Sequence, residues 1–528
     1  MRKLVACAEA SRLDAATGKI VPPLLLMEDA SLKLWKALEP IALSREAGTS
    51  KVLVAVCGSG DNGGDALALL RHARFAGLTR VAAILAKAPG ELASVHLASL
   101  RALGLPVLSW IEDRWACEGL LAEAGLIVDG LSGTGLSGPL REPQSSLLEA
   151  MNAATRDGGA PIASIDLPSG LSDAYEAGSP IAKAAWTLSV EPRKSCLYQP
   201  AARESCGEII PIEGVFPARL EFAASAGLLE PEDLRGLAPL PPESAYKGSR
   251  GAVAVFAGSK GTSGAAVLAS RACLAAGAGI ASLFASRELY PLAAAMLDAV
   301  MVKAEPEDFS GMDLSRYDAI LVGPGWGRDD ARRAELAALL GMGMPMVIEA
   351  DVIPLFGELS AAGPRRGTPV ILTPHPGEFA ALIGIERDRI LAAPAQYLRE
   401  AARALNAVIV LKSHVSWIAG PEGEPAIWEG RESGLGTAGS GDVLAGLCAG
   451  LLARAAAGAA PTTRAKPAPA AVIAAGLATA TIVSVVEAAV IAHGLAGRRA
   501  REARGWFEAS AIVEEAAKIL GLRIPNYP

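Results

Sequence analysis

Lys51-Val52-Leu53-Val54-Ala55-Val56-Cys57 runs without a polar break into Gly58-Ser59-Gly60-Asp61-Asn62-Gly63-Gly64-Asp65, and helix-forming residues follow from Ala66 to Ala76. An unbroken apolar run suits a strand covered on both faces, as in a parallel sheet, and glycines allow the sharp turn from strand to helix. The stretch reads as strand, glycine loop, helix. Working outward, further strands are expected near Arg80–Ala86, Leu126–Gly130, Ile162–Asp166 and Trp186–Val190, each ending in a Gly, Pro or polar turn. In the second half they are expected near Ala252–Ala257, Ile280–Ala285, Ala319–Val322, Met346–Ala350, Val370–Thr373 and Val408–Leu411. Strands alternating with Ala/Leu-rich helical stretches give the α/β class, with two parallel sheets covered by helices on both faces.

The 528 residues, 51% hydrophobic and 20% charged, exceed the size at which one core usually divides, so two or three domains are expected. Pro217 to Ser249 carries Pro231, Pro239, Pro241 and Pro242 without a strand pattern, which sets a boundary near its start, with domains over 1–217 and 218–528. Ala455 to Ala470, Pro/Ala-rich with Arg464 and Lys466, is expected to form a surface insertion. The net charge of −7 and the lack of a dense Lys/Arg run exclude a general attraction to nucleic acid or anionic membrane. Phosphate has to be handled locally.

Seven scattered cysteines, with no C-x-x-C and no His at metal spacing, suit the reduced, mostly buried thiols of a cytoplasmic protein. The N-terminus reaches charge too early for a signal peptide. Ala468 to Val486 approaches span length without a charge, but its Ala, Gly, Thr and Ser content and Pro469 suit a packed core helix better.

Gly58, Gly60 and Gly63 formally satisfy G-x-G-x-x-G, yet Lys87 stands where an acidic residue would end the next strand of a dinucleotide-binding unit. Two later loops add weight: Val128-Asp129-Gly130-Leu131-Ser132-Gly133-Thr134-Gly135-Leu136-Ser137-Gly138 and Ile165-Asp166-Leu167-Pro168-Ser169-Gly170. Ligands of open parallel sheets bind at the carboxyl edge of the strands, so the three loops are placed to converge on one crevice. Asp129 and Asp166 follow apolar strands, where partial burial raises a carboxylate toward a useful acid/base range, although each alone also suits a cap or turn.

These segments resemble the N-terminal YjeF domain, the NAD(P)H-hydrate epimerase, whose N-N-G-G-D-G, D-x-L-x-G-T-G-L and D-x-P-S-G-L patterns they match in order and spacing. Leu26-Met27-Glu28-Asp29-Ala30 also resembles the family's L-M-E-N-A. The resemblance implies a Rossmann-like doubly wound domain in which Asp166 is the acid/base of epimerisation and Asn62, Asp129 and Ser169 hold a potassium ion. It further implies substrate contacts from Asp61, Asn62, Gly63, Gly64 and Asp65, and from Gly133, Thr134, Gly135, Leu136, Ser137, Gly138 and Pro139. Asp61 replaces the family's first Asn, and Ala66 its last Gly.

A second glycine-rich stretch, Gly434-Leu435-Gly436-Thr437-Ala438-Gly439-Ser440-Gly441-Asp442-Val443-Leu444, opens an apolar, helix-periodic run through Leu452. A backbone stripped of side chains wraps closely around an anion, and the free N–H groups of a helix N-terminus aim at it. Asp442 is the odd member, because a carboxylate repels phosphate and suits taking a proton from a hydroxyl beside a transferring phosphoryl group.

From Tyr246-Lys247-Gly248-Ser249-Arg250-Gly251 onward the chain resembles the family's C-terminal domain, an ADP- or ATP-dependent NAD(P)H-hydrate dehydratase of ribokinase-like fold. Matching segments, in order, are Ala257-Gly258-Ser259 with Gly264-Ala265-Ala266, Gly323-Pro324-Gly325-Trp326-Gly327, Leu372-Thr373-Pro374-His375-Pro376-Gly377-Glu378, Leu411-Lys412, the second glycine stretch, and His493-Gly494-Leu495-Ala496-Gly497. The resemblance implies that Ala265, Gly325 and His375 bind the hydrate. It implies nucleotide contacts from Lys412, Ser413, His414, Val415 and Ser416 and from Gly439, Ser440 and Gly441, with Asp442 as catalytic base.

His375 sits between Pro374 and Pro376 in a rigid turn that leaves its ring projecting, whereas His72, His96 and His414 lack such a setting and are assigned no chemistry of their own. Glu349 stands where the family has Asp in L-D-A-D-A, Ser413 replaces a Gly, and Arg498 replaces an Asp.

The expected function is bifunctional repair of nicotinamide cofactors: epimerisation of R and S hydrates of NADH and NADPH, then dehydration of the S form at the expense of ADP. Potassium is expected in the first domain and Mg²⁺ in the second, with no nucleic-acid or membrane partner and a homo-oligomeric state. Two other readings stay open, a ribokinase-like small-molecule kinase and a dehydratase with a catalytically silent first domain.

Overall fold

The computed structural model describes residues 1–46, 51–361, 370–459 and 477–521. Two compact units divide the chain, one of Lys3–Ala226 with Leu391–Ala393 and one of Met1–Arg2, Gly227–Ile390 and Pro394–Pro528. The change of unit falls at Ala226/Gly227, and the stretch read as strandless contains a short strand at Ala226–Leu228.

The first unit holds a sheet of β1 (Val52–Cys57), β2 (Val81–Leu85), β3 (Val107–Ser109), β4 (Ala124–Gly130), β5 (Ile162–Ile165), β6 (Ala184–Val190) and β7 (Glu208–Ile212). Their order is β3-β2-β1-β4-β5-β6-β7, and every pair is parallel. Every residue of β1, β2 and β4 is buried, because helices cover both faces. The order reverses between β1 and β4, so the loops leaving these strands part and leave a crevice between them. Gly58 N–H donates to Gly130 O at 3.0 Å across this point.

The helix Asp61–Phe75 starts at once, and Gly63 is obligatory there: a Cβ would lie 2.1 Å from Gly58 O. β3 and β7 were not expected from the sequence. Both are edge strands only half-buried, and β7 carries Pro211, which an edge tolerates because no partner needs its missing N–H.

In the second unit a central parallel run places β8 (Ala252–Phe256) between β9 (Ile280–Ala285) and β11 (Ala319–Val322). β10 (Met301–Ala304) flanks β9, while β12 (Met346–Ile348), β13 (Val370–Leu372) and β14 (Ala407–Leu411) continue beyond β11. β15 (Val415–Ala419) and β16 (Ala426–Glu429) then add an antiparallel hairpin. This is an α/β unit with a mainly parallel sheet. The strands β10, β15 and β16 escaped the sequence reading.

One face of this sheet is covered by the helices Ser263–Ala275, Ser440–Ala459, Thr479–Arg504 and Ala509–Gly521. Gly446 lets the second of these approach the first closely, since a Cβ would meet Ala269 O at 2.3 Å. Ser440–Ala459 and Thr479–Arg504 are long and apolar enough to cross a membrane, but both are mostly buried in this core. Residues 455–459 of the expected insertion extend the helix Ser440–Ala459, and 460–470 lie outside the described residues. Of Ala468–Val486, residues 468–476 also lie outside them, and Ile482, Val485 and Val486 are core positions of Thr479–Arg504.

Candidate functional sites

In the first unit a cavity of about 870 Å³ opens at the β1/β4 reversal, with Asp61, Asn62, Asp65, Thr134, Asp166 and Lys194 among its lining. The expected contacts Gly63, Gly133, Gly135 and Leu136 line it too, but Gly64, Ser137, Gly138 and Pro139 do not. Gly64 packs against Met27 and Ala93 inside the core, where a Cβ would meet Met27 Sδ at 2.7 Å. Ala66 is likewise fully buried, inside the helix that carries the loop.

Asp166 is held in the left-handed region at φ 63°, uncommon for a residue with a side chain, directly after β5. Its Oδ1 accepts from Lys194 Nζ at 2.6 Å and from Val190 N–H at 3.0 Å. Lys194 is 2% exposed and also donates to Val190 O at 2.9 Å, so its ammonium is fixed. Around this pair the Asp14 carboxyl is pushed up to about 6 by burial, with Asp166 and Asp61 raising it further against the pull of Lys194. Burial also holds the Asp65 carboxyl well above the usual carboxylate range, although Ser31 donates to it. Two carboxyls raised by burial, Asp14 and Asp65, therefore line the cavity beside the Asp166–Lys194 pair. Sequence reading missed Lys194 and Asp14; a lysine just past a buried strand, in Glu191-Pro192-Arg193-Lys194, was the available signal.

Asn62, Asp129 and Ser169 do come together. Asp129 is fully buried and accepts from Ser164 Oγ at 2.7 Å, Ser169 Oγ at 2.5 Å, Ser169 N–H at 2.9 Å and Leu131 N–H at 3.2 Å. Its partners are hydroxyls and backbone N–H groups, and burial raises its carboxyl. The amide Nδ2 of Asn62 donates to Ile165 O at 2.9 Å and Ser132 O at 3.2 Å. Turning that amide over brings its oxygen to two carbonyls and makes the donor set all oxygen, which fits a hard cation.

In the second unit the strand order reverses between β8 and β11, and the loops that follow them touch. Gly258 N–H donates to Pro324 O at 2.8 Å, and Thr262 Oγ1 donates to Gly325 O at 2.7 Å. A Cβ on Gly325 would lie 3.2 Å from Ala265 Cβ, so the two expected hydrate contacts are neighbours. Gly323 adopts φ 125°, and a Cβ there would lie 1.9 Å from Glu349 O. Gly323→Ala is expected to cost on the order of 3 kcal/mol or more through strain and overlap, read as a fall in the urea midpoint of the second unit.

The second glycine stretch delivers Asp442 to the first turn of Ser440–Ala459, whose leading N–H groups have no partner within the helix. Lys412 Nζ donates to Glu349 Oε1 at 2.8 Å, and a Cβ on Gly441 would lie 2.9 Å from that oxygen and 3.0 Å from that nitrogen. Burial and then Glu349 push the Asp442 carboxyl up to about 7, against the pull of Lys412. Glu349 is 2% exposed, and among the described residues its Oε2 has no hydrogen-bond partner. Ser440 is tied to His493 Nε2 at 3.0 Å, and burial pushes that histidine down to about 4, so it is neutral. His493 was read from sequence only as part of a motif.

His375 caps the helix Pro376–Ile383: its Nδ1 accepts from Gly377 N–H at 3.0 Å and Glu378 N–H at 3.2 Å. The exposed Nε2, with Glu378 Oε1 at 3.4 Å, then carries the hydrogen and is the ring nitrogen open to a ligand. Lys412 lies in the acid cluster rather than apart from it, and Val415 is a fully buried strand residue that offers a ligand only its backbone. Ser413 Oγ pairs with His414 Nδ1 at 3.2 Å, and Ser416 Oγ donates to Ser413 O at 3.2 Å, which shapes the turn between β14 and β15.

Residues 24–196 match the model of the YjeF-related protein N-terminus, and residues 253–517 match that of NAD(P)H-hydrate dehydratase. The chain is 35% identical over 476 residues to the bifunctional NAD(P)H-hydrate repair enzyme Nnr of Gloeobacter violaceus, covering 85% of this chain and 89% of the relative. It is 30% identical to the protein of the same name from Moorella thermoacetica, covering 85% and 87%. Among solved structures, the ADP/ATP-dependent NAD(P)H-hydrate dehydratase from Bacillus subtilis co-crystallised with ATP/Mg²⁺ aligns at 24% identity and TM-score 0.47, covering 57% of this chain and 99% of its own.

Proposed function

The chain belongs to the family of bifunctional NAD(P)H-hydrate repair enzymes, and from that premise we propose how its two sites share the work. The first unit epimerises R and S hydrates of NADH and NADPH, and the second dehydrates the S hydrate at the expense of a nucleotide, here assigned as ADP.

In the second unit the Asp442 carboxylate takes the proton of the hydroxyl on carbon 6 of the hydrated ring, and that oxygen attacks the terminal phosphorus of ADP. The bond from that phosphorus to AMP breaks, while the helix N-terminus receives the phosphoryl charge. The carbon–oxygen bond then breaks with phosphate as leaving group, pushed by the ring nitrogen's lone pair, and loss of a proton from carbon 5 restores the double bond. The products are NAD(P)H, AMP and phosphate. As the counter-ion of the nucleotide's phosphates, Mg²⁺ would supply charge neutralisation there. The observation that carries this reading is Asp442 itself, a carboxyl at about 7 set on a phosphate-binding helix end beside the Lys412–Glu349 pair.

The base works when ionised, so turnover rises with pH through about 7. Glu349→Gln removes a charge that raises Asp442 and frees Lys412 to lower it, and both effects act in the same direction. The acid limb of the pH–rate profile is therefore expected to move to lower pH, and an unmoved limb would separate Glu349 from the base. The whole reading is tested by incubating mixed NADPH hydrates with protein, Mg²⁺ and ADP or ATP. Recovery of reduced-cofactor absorbance supports it; a phosphorylated hydrate that accumulates instead would make the second unit a kinase.

In the first unit Asp166 moves a proton at the carbon 6 hydroxyl, and Lys194 pairs with its carboxylate and aims it. Asn62, Asp129 and Ser169 would hold potassium, which supplies positive charge beside a buried carboxylate. The seven cysteines, free and buried, support a reducing compartment, and we place the repair in the cytoplasm.

A further inference from the structure

Cys7, Cys196 and Asp173 take no part in either reaction, yet they meet where the helix Cys7–Thr17 begins. The two sulfurs, 189 positions apart in sequence, lie 3.7 Å from each other, and both residues are buried. Asp173 is exposed and accepts the Cys7 N–H through Oδ2 at 2.6 Å. One ligand atom from each residue lies within 4.8 Å of the others.

We propose that Cys7 Sγ, Cys196 Sγ and an Asp173 carboxylate oxygen form a binding site for one divalent cation of the zinc class.

The spacing carries the argument. Zinc bonds thiolate at about 2.3 Å, so a tetrahedral centre sets two sulfurs about 3.8 Å apart. A disulfide needs about 2.05 Å, and the pair stands at ligand spacing instead. The donor set of two sulfurs and one carboxylate oxygen is one zinc accepts, and the exposed aspartate leaves a path for entry and a fourth position for water.

The site also reaches the epimerase centre through the backbone. Val5 N–H donates to Arg193 O at 2.9 Å, and Ser195 N–H donates to Val5 O at 2.9 Å. Lys194, the partner of Asp166, is held between these two bonds, so a bound cation braces the segment that positions it.

The test uses the full chain, reduced and stripped of metal, titrated with Co²⁺ as an absorbing stand-in for Zn²⁺. A thiolate-to-cobalt charge-transfer band is expected to saturate at one equivalent and to vanish when Zn²⁺ is added. Cys196→Ser should abolish the band, whereas Cys117→Ser, at a buried thiol on another helix, should leave it intact. Asp173→Asn should weaken binding about 100-fold or more, because even outer partners of metal ligands cost 10- to 100-fold. Its metal-free Tm should match that of the parent, which separates loss of a ligand from loss of fold. A band that survives the Cys7→Ser/Cys196→Ser double variant would overturn the site. So would reduced protein that takes up no cobalt and closes instead to a Cys7–Cys196 disulfide in air.

Discussion

Asp442→Asn is expected to lower the turnover of S-hydrate dehydration by about a hundredfold or more while ADP still binds. The amide nearly matches the carboxylate in shape but cannot accept the hydroxyl proton. On the proposed reading phosphate is received by backbone N–H groups of the helix Ser440–Ala459, and the substitution leaves them in place. It also removes one of the negative charges crowded around Lys412, so folding should not suffer. Turnover at saturating ADP and the ADP Kd by calorimetry give the two readings separately. Near-normal turnover would take Asp442 out of the mechanism, and lost ADP binding would make it a structural residue of the cradle.

The reason this carboxylate was legible in the sequence is local. Gly439, Ser440, Gly441 and Asp442 are consecutive, and a helix start can bind phosphate through its own backbone, so one stretch of chain contains both the proposed cradle and the proposed base. The strands with unbroken apolar runs were legible for a similar reason, because burial on both faces leaves no alternation to misread. Edge strands were not. Glu208–Ile212 and Met301–Ala304 owe their form to the single neighbour they pair with, and neighbours distant in sequence leave no mark on composition.

The same limit hid what tunes each centre. Lys412 was assigned to nucleotide, yet its closest partner is Glu349, 63 positions away at the end of another strand. Asp14 lies on the helix Cys7–Thr17, ahead of β1, and only the folded cavity sets it among Asp61, Asp65 and Asp166. His375 shows the converse. Its rigid Pro-His-Pro setting was visible, but the capping role of Nδ1 depends on the helix that follows, and that role decides which nitrogen faces a ligand.

Epimerisation in the first unit is expected to fall to the spontaneous rate in both Asp166→Asn and Lys194→Met, with conversion of pure S hydrate unchanged. Asp166→Asn removes the proton carrier, a loss of roughly 10²- to 10⁴-fold in rate where general acid–base catalysis is at stake. Lys194→Met leaves the carboxylate but strips the charged partner that holds it, so the proton-moving group is no longer aimed. Each single variant breaks a buried ion pair, which costs about 3–5 kcal/mol of stability, so lost activity alone would not distinguish catalysis from unfolding. The double variant Asp166→Asn/Lys194→Met makes that distinction. With no uncompensated charge left, its stability should return toward that of the parent, while epimerisation stays absent. Replacing potassium with tetramethylammonium should slow the parent enzyme through Asn62, Asp129 and Ser169, and Asp61→Asn should leave its rate unchanged or raise it. The deciding quantity is R-hydrate decay with and without protein, measured where the dehydratase is not limiting. Equal decay rates for the parent and for buffer would mean that the first unit has kept the Asp166–Lys194 pair and lost its chemistry.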